Sequence, residues 1–283
     1  MKIKSSIRHC RALTVLEMLV STTCLIFIVL GLTAMFVEVQ RAFKAGVKQS
    51  AMTDAGHTII DLVASDLAQA SDAQTPGITN LFWSWFTNNC TFQYQDSPLN
   101  VYRTNQLQEI FVLVQTNARW LGVGYAVSNS APGVGTLYRF CISTNAPLTT
   151  NWLFDRFNFA VGTQTFGSNF DRVADGVVHL KIRAFDQFGN ENGQEQGLDY
   201  AMSRPFYEFG YPAPGYSNLL GFLVPPADLP ATIQLEVGVL EPEAFEQLRA
   251  LPLNSAAQKN FLGNAVGKVQ IYRQNIPIAG ATR

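Results

Sequence analysis

Charge is scarce in this chain. Lys, Arg, Asp and Glu make up 14% of its 283 residues, 20 basic against 21 acidic, for a net charge of −1. So few unopposed cations cannot build a face that collects phosphates, which argues against a nucleic-acid partner. Histidine is scarcer still, with three residues. His57 and His179 stand apart, and no His-Glu-x-x-His or Gly-x-Ser-x-Gly occurs, so zinc-hydrolase and serine-esterase chemistry lack their signatures. Gly122-Val123-Gly124-Tyr125 misses the third glycine and the following helix of a dinucleotide fingerprint. Gly263-Asn264-Ala265-Val266-Gly267-Lys268 is one residue short of a P-loop and runs into a strand pattern. From these gaps the expectation is that the chain is not an enzyme and takes no cofactor, metal or small-molecule substrate.

Cysteine is also sparse, at four residues. Cys10 and Cys24 fall in the N-terminal segment, which leaves Cys90 and Cys141 for the rest of the chain. An oxidising compartment would permit a bridge between them. Against it, Tyr138, Phe140 and Ile142 alternate as an inward face and put Cys141 on the other side. Both readings stay open. The one gathering of oxygen ligands is the loop from Asp186 to Asp199, with Asn190, Glu191, Asn192 and Glu195 between. Calcium takes such ligands, but the EF-hand spacing is missing and the loop reads as solvated.

What the sequence does have is one long uncharged run. From Met18 to Val37 no residue carries a charge, about the twenty residues a helix needs to cross a hydrocarbon core. A basic head precedes it, with Lys2, Lys4, Arg8 and Arg11 and no acid. Glu17 sits at the edge of the run. A carboxylate deep in lipid costs about 2.5–3.5 kcal/mol on insertion scales, so Glu17 either lies at the interface or meets a cation. A cleaved secretory signal would have a shorter apolar stretch and an Ala-x-Ala-like exit. Ser21-Thr22-Thr23-Cys24 lacks the aliphatic residue of a lipoprotein box, and Cys24 reads as a small hydrophobe on a helix.

The arrangement resembles the prepilin-type signal of type IV pilins and pseudopilins. The matching residues are Ala12, then Leu13, Thr14, Val15, Leu16 and Glu17. The resemblance implies cleavage between Ala12 and Leu13 by a prepilin peptidase, N-methylation of Leu13, and a role for Glu17 with Thr14 in assembly. Ala12 stands where the family usually has Gly, and Leu13 where it has Phe or Met.

Beyond the run the helical pattern continues. Met52, Ala55, Ile59, Leu62, Val63, Leu67 and Ala70 recur at steps of three and four, with no Pro before Thr75-Pro76-Gly77. The expectation is one helix of about sixty residues, half in lipid and half packed on a soluble domain, with Gly46 and Gly56 as weak points. Leu81-Phe82-Trp83-Ser84-Trp85-Phe86 reads as a satellite core under a loop rather than a partner-facing patch. Strands are expected over Ile110–Val114, Leu121–Val127, Leu137–Ile142, Val177–Asp186 and Thr232–Leu240. In the fourth, Val178, Leu180, Ile182 and Ala184 share one side while His179, Lys181 and Arg183 share the other. Pro242 opens a short helix over Glu243–Leu251. A second helix is expected over Ser255–Leu262 and an edge strand over Val269–Tyr272. Removing the leader and span leaves about 245 residues, ample for one buried core.

Asp61-Leu62, Asp66-Leu67-Ala68-Gln69-Ala70, Val177-Val178-His179-Leu180 with Asp186 and Gly189, and Leu229-Pro230-Ala231-Thr232-Ile233 are similar to the type II secretion minor pseudopilin J family. The chain also looks like the Verru_Chthon cassette protein C group. The expected organisation is a leader over 1–12, a transmembrane helix over 13–37, the soluble half of the helix over 38–75 and an exported β-rich domain over 76–283. The expected fold is α+β and pilin-like: a long N-terminal helix packed on an antiparallel sheet. The resemblance implies a structural subunit of a pilus-like or type II secretion pseudopilus complex. It would sit in the inner membrane as a single-pass protein, N-terminus cytoplasmic and C-terminal domain periplasmic, with prepilin peptidase and other pilin or pseudopilin subunits as partners. The alternative is a monomeric membrane-tethered periplasmic binding domain.

Overall fold

The computed structural model describes residues 14–73, 75, 78–84, 91–94, 102–116, 119–128, 133–145, 148, 150–191, 221–224, 229–253 and 255–278. The chain divides into two units, Met1–Gln49 and Ser50–Arg283. Helix α1, Val15–Ala68, runs through both. In the first unit its large apolar side chains, from Val15 through Phe36 to Val47, are exposed all round the helix. By length and composition this part of α1 can cross a bilayer. Its hydroxyls are consumed internally: Ser21 donates to the Glu17 carbonyl at 2.6 Å and Thr33 to the Val29 carbonyl at 2.8 Å. Thr22 and Thr23 turn back onto the preceding turn in the same way, so none of the four presents an unmet donor to an apolar surround.

The second unit is α+β. Its main sheet has eight strands in the order β10-β9-β7-β6-β5-β4-β1-β8, all antiparallel. The strands are β1 Leu81–Ser84, β4 Ile110–Thr116, β5 Arg119–Val127, β6 Gly135–Thr144, β7 Phe170–Phe185, β8 Gly221–Val224, β9 Thr232–Leu240 and β10 Val269–Pro277. β2 Thr91–Tyr94 and β3 Tyr102–Asn105 form a separate hairpin. Strand β7 bends the sheet. Its first half pairs with β6 and its second with β9, and between them lie Gly176 at φ +71° and a bulge at Val177/His179. The edge that β7 leaves open on the β6 side is filled by residues 106–108. There the Leu180 N–H donates to the Gln106 carbonyl at 2.7 Å, and the Gln108 N–H donates to the Leu180 carbonyl at 2.9 Å.

Three apolar clusters hold the unit together. Ile59, Ile60, Val63 and Leu67 of α1 pack on one face of the sheet against Val112, Val123, Leu137, Leu180, Ile182, Leu235 and Val237. The opposite face of β4–β6 is covered by helix α2, Trp152–Gly162, through Leu153, Phe154, Phe157 and Val161. Helices α3, Pro242–Arg249, and α4, Ala256–Asn264, close the third cluster around Val178 and Leu240. Ser255 caps α4 by accepting the Gln258 N–H.

Several expectations need correction. Helix α1 ends at Ala68, ahead of Thr75-Pro76-Gly77, because its last turn tightens and the chain peels onto β4. Ala70 N–H bonds the Leu67 carbonyl at 3.0 Å and Ser71 N–H bonds the Leu113 carbonyl at 2.9 Å. Leu81–Ser84 is buried, as a core reading requires, but as a strand inside the sheet rather than a satellite core under a loop; Trp85 and Phe86 lie outside the described residues. Val178 leaves the Leu180 face and joins the α3 side, since the bulge reverses the alternation. Helix α2 was not expected. Its apolar positions fit a helical period, but aromatic residues in a β-rich context mask it. Gly56 acts as a contact rather than a bend: a Cβ there would stand 2.1 Å from the Tyr272 ring.

Candidate functional site

The residues that the resemblance singles out sit at the start of α1. Ala12 and Leu13 lie outside the described residues. Thr14 and Glu17 are brought together as a reciprocal cap. The Glu17 N–H donates to Thr14 Oγ1 at 3.3 Å. Glu17 Oε2 accepts the Thr14 N–H at 2.9 Å and its hydroxyl at 3.2 Å. The Met18 N–H donates to the Thr14 carbonyl at 3.2 Å, which makes Thr14 the N-cap and Glu17 its N3 partner. The Thr-x-x-Glu spacing therefore does two things. It satisfies orphan amides that lipid would leave unmet, and it places a negative charge at the positive end of the helix dipole.

A second cluster was not foreseen from the sequence. Asp66 lies on the buried stripe of α1, and both of its oxygens face the sheet. Arg139 on β6 donates Nε to Asp66 Oδ2 at 2.7 Å and Nη2 to Oδ1 at 2.9 Å. The Tyr125 hydroxyl on β5 donates to the same Oδ2. Burial, then the bond to Asp66, pushes the Tyr125 hydroxyl well above its ordinary value. The bond to Asp66 likewise raises Arg139. Both stay protonated and donate throughout the accessible pH range. The signal was present: Asp66 sits at i+3 from Val63 and i+7 from Ile59, an acid inside an apolar stripe. Arg139 likewise falls between Leu137 and Cys141 on the α1 face.

A polar layer covers the far side of β7, β9 and β10. His179 is buried, its Cβ standing over Gly238 where a side chain would clash at 2.8 Å. Its Nδ1 accepts the Gln106 N–H at 3.0 Å, which leaves Nε2 facing Glu236 Oε2 at 3.6 Å. Arg273 holds the other Glu236 oxygen at 2.8 Å. The His179 imidazole and the Arg273 guanidinium keep Glu236 below the usual carboxylate range. Beside them Arg183 donates Nε to Glu191 at 2.7 Å, and Gln234 bonds Asn275 at 3.0 Å. These groups are satisfied by one another, and no Ser, Thr or Cys nucleophile is bonded to His179 among the described contacts.

Of the loop expected to be solvated, Asp186 caps its own turn by accepting the N–H groups of Phe188 and Asn190, both at 2.8 Å. Glu191 is occupied by Arg183, and Asn192, Glu195 and Asp199 lie outside the described residues. Among the described residues no group of three or more His, Cys, Asp or Glu is arranged to hold a metal. Cys141 is a free, half-buried thiol on the α1 face, and Cys90 lies outside the described residues. Gly122 and Gly124 are midstrand positions of β5 that admit Leu153 and Phe157 of α2. No family model matches the chain, and no curated protein matches it.

Proposed function

We propose that the chain is a structural subunit of the pilin and pseudopilin type, inserted by α1 and assembled through it. The observation that carries this reading is the pairing of two properties in one helix. Its first half bares apolar side chains on every side, and its first turn encloses Glu17 in a cap with Thr14. A plain tether gains only the cap from this carboxylate, which an uncharged side chain could also supply. An assembling helix gains more: after cleavage between Ala12 and Leu13, the Leu13 ammonium lies one residue from the amide that Glu17 already holds. A charge pair completed on assembly relieves a cost borne by the lone subunit.

On this reading the basic leader faces the cytoplasm, prepilin peptidase removes 1–12, and the Leu13 amine is methylated. The antiparallel body is then exported across the inner membrane to a periplasmic position. A pilin-like fold agrees with an α+β body that buries the end of α1 on its sheet. The later sequence similarities favour a minor pseudopilin of a type II secretion system. Co-expression with a prepilin peptidase should shorten the chain by twelve residues (1–12 removed) and leave Leu13 at the terminus. Replacing Ala12 with a bulky residue should block the cut. Intact Met1 on mass spectrometry of membrane-extracted native protein would favour the tethered binding domain instead.

A further inference from the structure

The segment of α1 just past the uncharged run has two unlike sides. Arg41, Lys44 and Lys48 recur at steps of three and four and share one side of the helix. Val39, Phe43 and Val47 recur at steps of four on another, and Phe43 is 72% exposed. Glu38 is the sole acid between Met18 and Gln49, and it pairs with Arg41 at 2.8 Å in an exposed contact that competes weakly with other anions. We propose that this segment is a lipid-gripping collar. Arg41 and Lys44 bind the phosphates of anionic phospholipids in the leaflet where the span emerges, Lys48 adds its charge from just outside them, and Val39 lies against the acyl boundary with Phe43 in the headgroup layer.

Distance and direction support the assignment. At about 1.5 Å per residue, Arg41 and Lys44 stand about 6 and about 10 Å beyond Val37. The headgroup layer is about 5–8 Å thick on each side of the hydrocarbon. Every Cα–Cβ bond of an α-helix tilts toward its N-terminus. At this end of the span that tilt aims the long cationic side chains back toward the bilayer and brings Lys44 into reach, while Lys48, about 16 Å past Val37, adds longer-range attraction from outside the layer. Continuity with an apolar span favours lipid as the occupant, because the stripe begins where the uncharged run stops. The proposal rests on α1 crossing a bilayer.

The test uses the full chain reconstituted in phosphatidylcholine vesicles carrying spin-labelled phosphatidylglycerol or phosphatidylcholine. The native chain should select the anionic label into its motionally restricted shell by about threefold or more. Arg41→Gln/Lys44→Gln/Lys48→Gln should lose at least half of that preference, the remainder coming from the leader that both chains share. Arg41→Lys/Lys44→Arg/Lys48→Arg should keep all of it, and added salt should weaken it. Equal selection by the native and Gln chains, both resistant to carbonate extraction, overturns the collar and leaves the span intact. Carbodiimide crosslinks from Lys44 to a second copy's carboxylate, with lipid-blind selection, overturn it in favour of a subunit contact. A native chain stripped by carbonate overturns the span and the collar together.

Discussion

Asp66 and Arg139 form a two-point ion pair, at 2.7 and 2.9 Å, that ties the last full turn of α1 to the middle of the sheet. Their side chains are 11% and 22% exposed, so the pair is screened little by water. The Tyr125 hydroxyl completes the acceptor shell of Asp66. Three elements distant in sequence are thereby held at one carboxylate.

Removing that carboxylate should be costly. Asp66→Ala leaves Arg139 and Tyr125 facing an apolar cluster without an acceptor, and the unit from Ser50 onward should lose about 3 kcal/mol of unfolding free energy. Tyr125→Phe should lose about 1 kcal/mol, since the guanidinium still holds Asp66. The triple change Asp66→Leu/Tyr125→Phe/Arg139→Met should recover most of the loss. Urea titration followed by circular dichroism measures all three, and an Asp66→Ala loss below that of Tyr125→Phe would show the pair to be dispensable.

The glycines of β5 should rank by their clearance. A Cβ at Gly124 would stand 2.4 Å from Phe157, and one at Gly122 would stand 3.0 Å from Phe111. Gly124→Ala should cost about 1–3 kcal/mol through displacement of α2, and Gly122→Ala should cost less. Phe157→Leu should partly rescue Gly124→Ala. Thermal melts of the four variants test the order, and equal losses would mean that α2 is not seated on Gly124.

Glu109 gives the fold a pH dependence. It precedes β4, where its N–H donates to Ser84 Oγ at 2.8 Å and its carbonyl accepts the Ser84 N–H at 2.9 Å. Burial pushes its carboxyl up to about 7 from an ordinary 4.5. Below 4.5 both folded and unfolded chains carry the proton, and the group is silent. As pH rises toward 7 the unfolded chain releases its proton first, so stability falls across that window. Glu109→Gln should leave Tm unchanged at pH 4 and raise it at pH 8. A lower Tm at pH 8 would mean that the charged form has a partner.

The Glu17 series separates capping from charge. Glu17→Ala removes both, and the chain should insert at least as well as before but fail to crosslink to partner subunits. Glu17→Gln keeps an N3 side chain able to cap Thr14, yet loses the charge, and it should fail nearly as badly. Glu17→Asp should be intermediate. Crosslinking scored beside membrane fractionation reads this out. Native crosslinking by the Gln chain would reduce Glu17 to a cap, and equal crosslinking by the Ala chain would remove it from assembly altogether.

The sequence alone determined what depends on neighbours in the chain. The apolar length of α1, the run of β9 from Thr232 to Leu240, and the starts of α3 at Pro242 and α4 after Ser255 are all written in local period and capping chemistry; the Thr14-x-x-Glu17 spacing is local too, but it took the structure to show it closed as a cap. Tertiary structure decided everything that depends on what lies opposite. Sequence alternation on β6 shows Phe140 and Ile142 as one face, but only the packing of α1 shows that Leu137, Arg139 and Cys141 face a second core. A single bulge sends Val178 away from Leu180, and no pattern of period two can announce it. The end of α1 was settled by the pull of β4 on Ala70 and Ser71, ahead of the proline that would have stopped it later. Asp66 and Arg139, 73 residues apart, meet only because the helix and the sheet bury one another.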